Sequence, residues 1–334
     1  LKIMDTGIRN ECYLRRYKGD FDHFLQEIKV APRQYTGYYV INNDRFVQLS
    51  SGRWIVMAAV HQSKQATDEE GFSIRNLEWY STSCAFISDD DGYTWRQTNQ
   101  MLSINAPSSI SGLQEPGCVE LPGGVVYGYF RTDLGRQYES VSLDGGLRWY
   151  TPQPSQFSSP CSPMLIKRSN TDGKYYAVWN PIPRGNIRPS RIDGAMTGSR
   201  TPMVCAVSRD EGVTWENITI IESDERRGFC YIAIHELSDG SVLLGYCAGS
   251  PEDKCCLSRL RIRKLTKAAG SKFRLGGFVK NRDHIIHHLG VISTRDILPV
   301  KLTPQLPEGI TIISSLKDTF ALQLIAPLKA SMIS

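Results

Sequence analysis

Short apolar runs alternate with polar positions along this chain, each broken by a glycine-bearing turn, and helical periodicity is almost absent. Cys84-Ala85-Phe86-Ile87 and Met203-Val204-Cys205-Ala206-Val207 read as strands that lead into turns. Three longer phrases join strand to strand. They run from Phe46 to Met57 around Ser50-Ser51-Gly52, from Val119 to Tyr127 around Pro122-Gly123-Gly124, and from Ile234 to Leu244 around Ser238-Asp239-Gly240. Runs separated by so few turn residues predict antiparallel hairpins. A last alternating strand spans Leu257 to Leu265, and the tail after Thr266 carries neither pattern. The predicted fold class is all-β.

A repeat sharpens this reading. Ser88 to Trp95, Ser142 to Trp149 and Ser208 to Trp215 share the pattern Ser-x-Asp-x-Gly-x-(Thr/Arg)-Trp. The Asp side chain can accept from the turn's N–H groups, Gly reaches a backbone conformation that other residues disfavour, and Ser and Thr add hydroxyl bonds. Trp then packs its ring beneath the sheet. Trp95, Trp149 and Trp215 stand 54 and 66 residues apart, the scale of one four-stranded propeller blade with a long insertion.

Composition narrows the chemistry. The 334 residues are 41% hydrophobic and 22% charged, enough to bury a sizeable core, and no run reaches the roughly 18 to 20 apolar residues of a membrane span. Leu1 to Arg9 lack the order of a signal peptide. A net charge of +5, scattered along the chain, argues against nucleic acid as a partner. Nine cysteines without a spacing framework read as free or buried thiols, which favours a cytoplasmic location unless a leader precedes Leu1. No spacing suits zinc, and no metal or other cofactor is expected; Asp283-His284-Ile285-Ile286-His287-His288 is a weak metal phrase without further ligands.

The repeats resemble the Asp boxes of the sialidase (neuraminidase) superfamily, over roughly Tyr13 to Leu265. The resemblance implies a six-bladed β-propeller over residues 1–266, with its first blade missing or incomplete, and a tail of unknown structure over 267–334. The segment Tyr13 to Phe24 looks like one more such strand whose turn has decayed. Order also matches the family at four positions. Glu115 opens a hairpin that ends at Arg131, Arg200 precedes the third repeat, and Tyr231 begins a later hairpin. The resemblance implies Tyr231 as nucleophile, Glu115 as the base that activates it, and Arg131 and Arg200 as ligands of a substrate carboxylate. Planar guanidiniums suit that carboxylate, and a neutral tyrosine avoids the repulsion an anionic nucleophile would meet.

Two family elements are not visible: an Arg-Ile-Pro-like strand carrying a first arginine, and the general-acid aspartate after it. One reading places both ahead of Leu1. Its rival takes Arg45 as the arginine and Asp68 as the acid; apart from that choice, Asn43, Asp44, Arg45 and His61 are candidate subsite residues lining the pocket. The expected function is an exo-acting, retaining glycoside hydrolase that removes a terminal sialic acid or related acidic sugar. The alternatives are a non-catalytic carbohydrate-binding or scaffolding propeller and a protein-interaction propeller without a sugar site. The expected partner is a sialylated or other acidic glycan.

Overall fold

The computed structural model describes residues 2–4, 7–9, 12–17, 23–30, 38–67, 73–183, 200–238, 241–265, 310–316 and 319–324. Two short hairpins come first, β1 (Lys2–Met4) with β2 (Gly7–Arg9) and β3 (Tyr13–Tyr17) with β4 (Phe24–Lys29). The first sheet follows in the order β5 (Tyr38–Val40), β7 (Trp54–Thr67), β8 (Ser73–Ser88), β9 (Arg96–Gln97), with β6 (Val47–Gln48) also paired to β7. The second is β10 (Gln114–Glu120), β11 (Val126–Arg131), β12 (Arg136–Ser142), β13 (Gln153–Ser158), and the third is β14 (Leu165–Arg168), β15 (Tyr175–Trp179), β16 (Met203–Ser208), β17 (Glu216–Glu222). In the fourth, β18 (Cys230–Glu236), β19 (Val242–Cys247) and β20 (Leu260–Leu265) continue into the later pair β21 (Ile310–Leu316) and β22 (Thr319–Leu324), with β22 beside β20. Neighbouring strands pair antiparallel and, apart from β6 and the β21–β22 pair, in sequence order, the up-and-down pattern of a propeller blade. Among the described residues, only two single-turn 3₁₀ segments interrupt the strands, and no helix is long and apolar enough to cross a membrane.

The three repeats join the third strand of a sheet to the fourth, at β8–β9, β12–β13 and β16–β17. Their local bonding follows one scheme, with Arg148 supplying only its N–H where Thr94 and Thr214 also give a hydroxyl. Ser88 Oγ donates to Asp90 Oδ1 at 2.7 Å and accepts from the Gly92 N–H at 2.8 Å, while the Thr94 N–H and hydroxyl donate to the two Asp90 oxygens at 2.9 and 2.6 Å. Ser142 with Asp144 and Ser208 with Asp210 repeat the scheme. Gly92, Gly146 and Gly212 hold φ of 79°, 87° and 87°, the left-handed region that glycine reaches without a Cβ penalty. The indole N–H of Trp95 and of Trp149 donates back to the carbonyl of its own glycine, and Trp215 packs edge-on against Phe157.

The chain divides into two compact units, residues 1–133 with 138–155 and 329–334, and residues 134–137 with 156–328. In the first unit, Val56, Ala58 and Val60 of β7 pack with Cys84 and Phe86 of β8 and with Tyr39, and Cys12 and Val30 beside the β3–β4 hairpin close that core. Arg16 fastens the same hairpin to the first repeat, donating to the Asp91 carboxylate and carbonyl at 2.7 Å and lying over the Tyr93 ring. In the second unit, Leu165, Val178, Met203 and Ile221 of the third sheet meet Ile232, Leu244 and Tyr246 of the fourth, with Phe229 between. Each cluster draws on two neighbouring layers because a lone sheet leaves its apolar face uncovered.

Candidate active site

In the first unit, the loop before β10 is fixed from both sides. The Ser81 N–H donates to the Ser111 carbonyl and the Leu113 N–H to the Ser81 carbonyl, while Asp133 accepts from Ser109, Ile110 and Ser111. This delivers Glu115 as the second residue of β10, where the register to β11 slips: Gln114 faces Arg131, and Gly117 faces Tyr129. At that bulge Glu115 adopts φ of 44°. Its side chain is 9% exposed and that of Arg131 is 13% exposed, and the guanidinium donates from Nη1 to Glu115 Oε2 at 2.6 Å. The pair is buried, charge-assisted and compact.

Arg45 lies close by but beneath the sheet. It is 3% exposed, donates from Nη1 to the Tyr129 hydroxyl at 3.1 Å and sits 5.4 Å from the Tyr129 ring centre. His61 is half-buried on β7, and its Nδ1–H donates to the Glu78 carbonyl at 2.9 Å, which fixes the tautomer. Asn43 and Asp44 form the turn before Arg45. Asp68 and the histidines at 284, 287 and 288 lie outside the described residues.

In the second unit, the corresponding place holds Tyr231. It too is the second residue of its strand, it too stands at a register slip, here between Cys230 and Ala233, and its φ is 55°. Arg200 approaches from the chain ahead of β16. Its carbonyl accepts from the Phe229 N–H at 2.8 Å, so the backbone just before β18 is tied to it directly. Its guanidinium donates from Nη2 to the Cys161 carbonyl at 3.3 Å and from Nη1 to Cys230 Sγ at 3.0 Å, and its centre lies 5.6 Å from the Tyr231 ring. Arg200 is 9% exposed, a setting in which a cation over an aromatic face gains from the absence of water.

The structure thus joins the four residues in two pairs, Glu115 with Arg131 in one unit and Arg200 with Tyr231 in the other. Non-glycine residues at positive φ are uncommon. Among the described residues, those within strands are Glu115, Asn217 and Tyr231, and asparagine alone of these types tolerates the region readily. Sequence reasoning missed the cysteines around Arg200. A signal was available, since Cys230 and Cys247 lie near mirror positions about the turn between β18 and β19. Among the described residues no group of three or more His, Cys, Asp or Glu is arranged to hold a metal ion.

The model for the BNR repeat-like domain matches residues 25–244. The chain belongs to the BNR repeat-like domain family. Among solved structures, this family member is similar to the leech intramolecular trans-sialidase, at 18% identity and a TM-score of 0.51 over 72% of this chain and 33% of that one. That likeness shows the fold. The NanB sialidase of Streptococcus pneumoniae aligns at 20% identity and a TM-score of 0.47, covering 68% of this chain and 31% of its own. An α-L-arabinofuranosidase of Fusarium graminearum aligns at 15% identity and 0.41, covering 71% and 65%. The match takes in about a third of each sialidase's length. No curated protein matches the chain in sequence.

Proposed function

We propose that this family member acts on glycans as an exo-acting, retaining glycoside hydrolase of the sialidase type, releasing a terminal sialic acid or a related acidic sugar, within a propeller of six blades. The observation that carries the reading is the shared irregularity at Glu115 and Tyr231. Each sits at a bulge, second in its strand, at positive φ, and each has an arginine beside it. A backbone state of this kind costs about 1–3 kcal/mol and persists where the surroundings enforce it, commonly at reacting centres.

The chemistry follows from the residue types. An acidic sugar of this class carries a carboxylate on its anomeric carbon, which a guanidinium fork binds through two parallel hydrogen bonds. The phenol oxygen of Tyr231 attacks that carbon as a neutral group, Glu115 has the part of the base that takes its proton, and the glycosidic C–O bond breaks as the departing oxygen takes a proton from a general acid, the part given to Asp68. Water then resolves the glycosyl-tyrosine with retention. A second reading, sugar binding without turnover, has its support in the 2.6 Å ion pair with Arg131 that already engages Glu115.

Hydrolysis of a fluorogenic sialoside by the longest natural form of the protein tests both. Turnover that disappears in Tyr231→Phe while glycan binding persists supports the hydrolase. Binding of acidic glycans on an array with no turnover selects the second reading, and neither binding nor turnover defeats both.

A further inference from the structure

Two sulfurs lie against Arg200. Its Nη1 donates to Cys230 Sγ at 3.0 Å and stands 3.9 Å from Cys256 Sγ. Cys230 is directly opposite Cys247 across the β18–β19 ladder. Opposed residues of an antiparallel pair have Cα atoms about 4.5–5.5 Å apart. That lies inside the roughly 4.4–6.8 Å that a disulfide spans. The backbone spacing of the pair therefore suits a disulfide.

We propose that Cys230 and Cys247 form a redox-sensitive pair that closes to a disulfide on exposure to a peroxide, a modification site beside Arg200 and Tyr231. The two thiols differ in a way that sets the order of events. Cys230 is fully buried and Cys247 only partly so. Burial pushes the Cys230 thiol up to about 11, whereas the hydrogen bond from Cys230, aided by the charge of Arg200, holds Cys247 below the usual thiol value. A partly exposed thiolate beside a guanidinium is the reactive kind.

The Cys247 thiolate attacks one peroxide oxygen, the O–O bond breaks, and hydroxide leaves. The resulting sulfenic acid is attacked by the Cys230 sulfur, the S–O bond breaks, and the oxygen departs as water with the Cys230 proton. Together the two thiols give up two electrons and two protons, and the peroxide becomes two waters. Cys230 immediately precedes Tyr231, so closure pins the bulge that sets this residue's backbone and replaces the thiol that Arg200 contacts. The site needs nothing from the glycan reading and stands if that reading fails.

Peptide mapping tests it on the whole chain. Trypsin cuts after Arg227 and Lys254, so Cys230 and Cys247 share one peptide, 228–254, and Cys255 and Cys256 lie in the next, 255–259. After reduction, brief hydrogen peroxide and alkylation, peptide 228–254 is expected lighter by two hydrogen atoms with neither cysteine alkylated, and dithiothreitol restores both. Peptide 255–259 stays alkylated. Cys247→Ser abolishes closure and Cys255→Ser leaves it intact. Arg200→Gln slows it, because the guanidinium favours the Cys247 thiolate. Full alkylation of Cys230 and Cys247 after peroxide overturns the proposal, as does a cross-link between the two peptides through Cys256. The wild-type mapping decides the matter even where a variant fails to fold.

Discussion

Glu236 holds a turn of the sheet before its own: its carboxylate accepts from the Ser169 hydroxyl at 2.7 Å and from the Asn170 N–H at 2.7 Å. Glu120 does the same one unit earlier, accepting from the Ser50 N–H and hydroxyl, both at 2.7 Å. In each case the glutamate ends the first strand of a sheet and the partner is a hairpin turn of the preceding one. Hydrogen bonds to a charged acceptor are among the stronger ones, and the partial exposure here reduces them. Glu236→Ala and Glu120→Ala should each lower stability by about 1–2 kcal/mol, read as a reduced urea midpoint at unchanged slope.

Gly117 and Gly245 hold related places in their hairpins yet should respond oppositely to alanine. A Cβ at Gly117 would lie 2.5 Å from the Tyr129 hydroxyl and 2.6 Å from its ring, and that ring is 1% exposed. Gly245 has nothing within 4 Å of such an atom. Gly117→Ala should cost about 1–3 kcal/mol through overpacking. Gly245→Ala should be neutral or raise stability by up to about 1 kcal/mol, since it restricts only the unfolded chain. Thermal melts of the two variants compare them directly.

The Glu115–Arg131 pair should obey the asymmetry of buried ions. Arg131→Met takes the guanidinium away from a carboxylate that is 9% exposed, and removal of one partner of a buried pair costs up to about 3–5 kcal/mol. Glu115→Gln combined with Arg131→Met removes both charges and should recover part of that loss. A double-mutant cycle on chemical unfolding reads the coupling.

How far these features could be read in advance depends on how local they are. The Ser-x-Asp-x-Gly turns were legible because the side-chain bonds of Ser88, Asp90 and Thr94 close within the turn itself, so eight residues contain their cause. The hairpin from Leu165 to Trp179 had a similar signal in Asn170-Thr171-Asp172-Gly173 and was overlooked beside the stronger repeats. Glu115 and Tyr231 were singled out by residue type and order, but no sequence pattern announces φ of 44° or 55°, because the bulge comes from how each strand meets its partner. The clasp of Glu120 on Ser50 spans 70 positions, and Arg200, Cys230 and Cys256 come from three separate segments. Such relations exist only once the sheets are stacked.

The first repeat should register acid sharply. Bonds from the Thr94 hydroxyl, the Thr94 N–H and the Ser88 hydroxyl hold the Asp90 carboxyl down to about 2. A folded-state value depressed in this way stabilises the fold above the unfolded value of about 3.9, and the contribution is lost as pH falls through the folded one. The wild-type melting temperature should therefore drop between about pH 4 and pH 2 relative to Asp90→Asn, whose amide has no charge to lose. Equal profiles for the two proteins would show that the turn bonds do not favour the ionised carboxyl.

The matched bulges at Glu115 and Tyr231 bear on how such a chain can diverge. One kink in the strand presents an acid in one hairpin and a phenol in the other, so the backbone device does not depend on the side chain it displays. A lineage built on this device can exchange the displayed group by a single codon change, with the neighbouring ladder already accommodated to the bend. New chemistry then arrives without a new scaffold, and descendants that share these sheets are free to differ at their working residues.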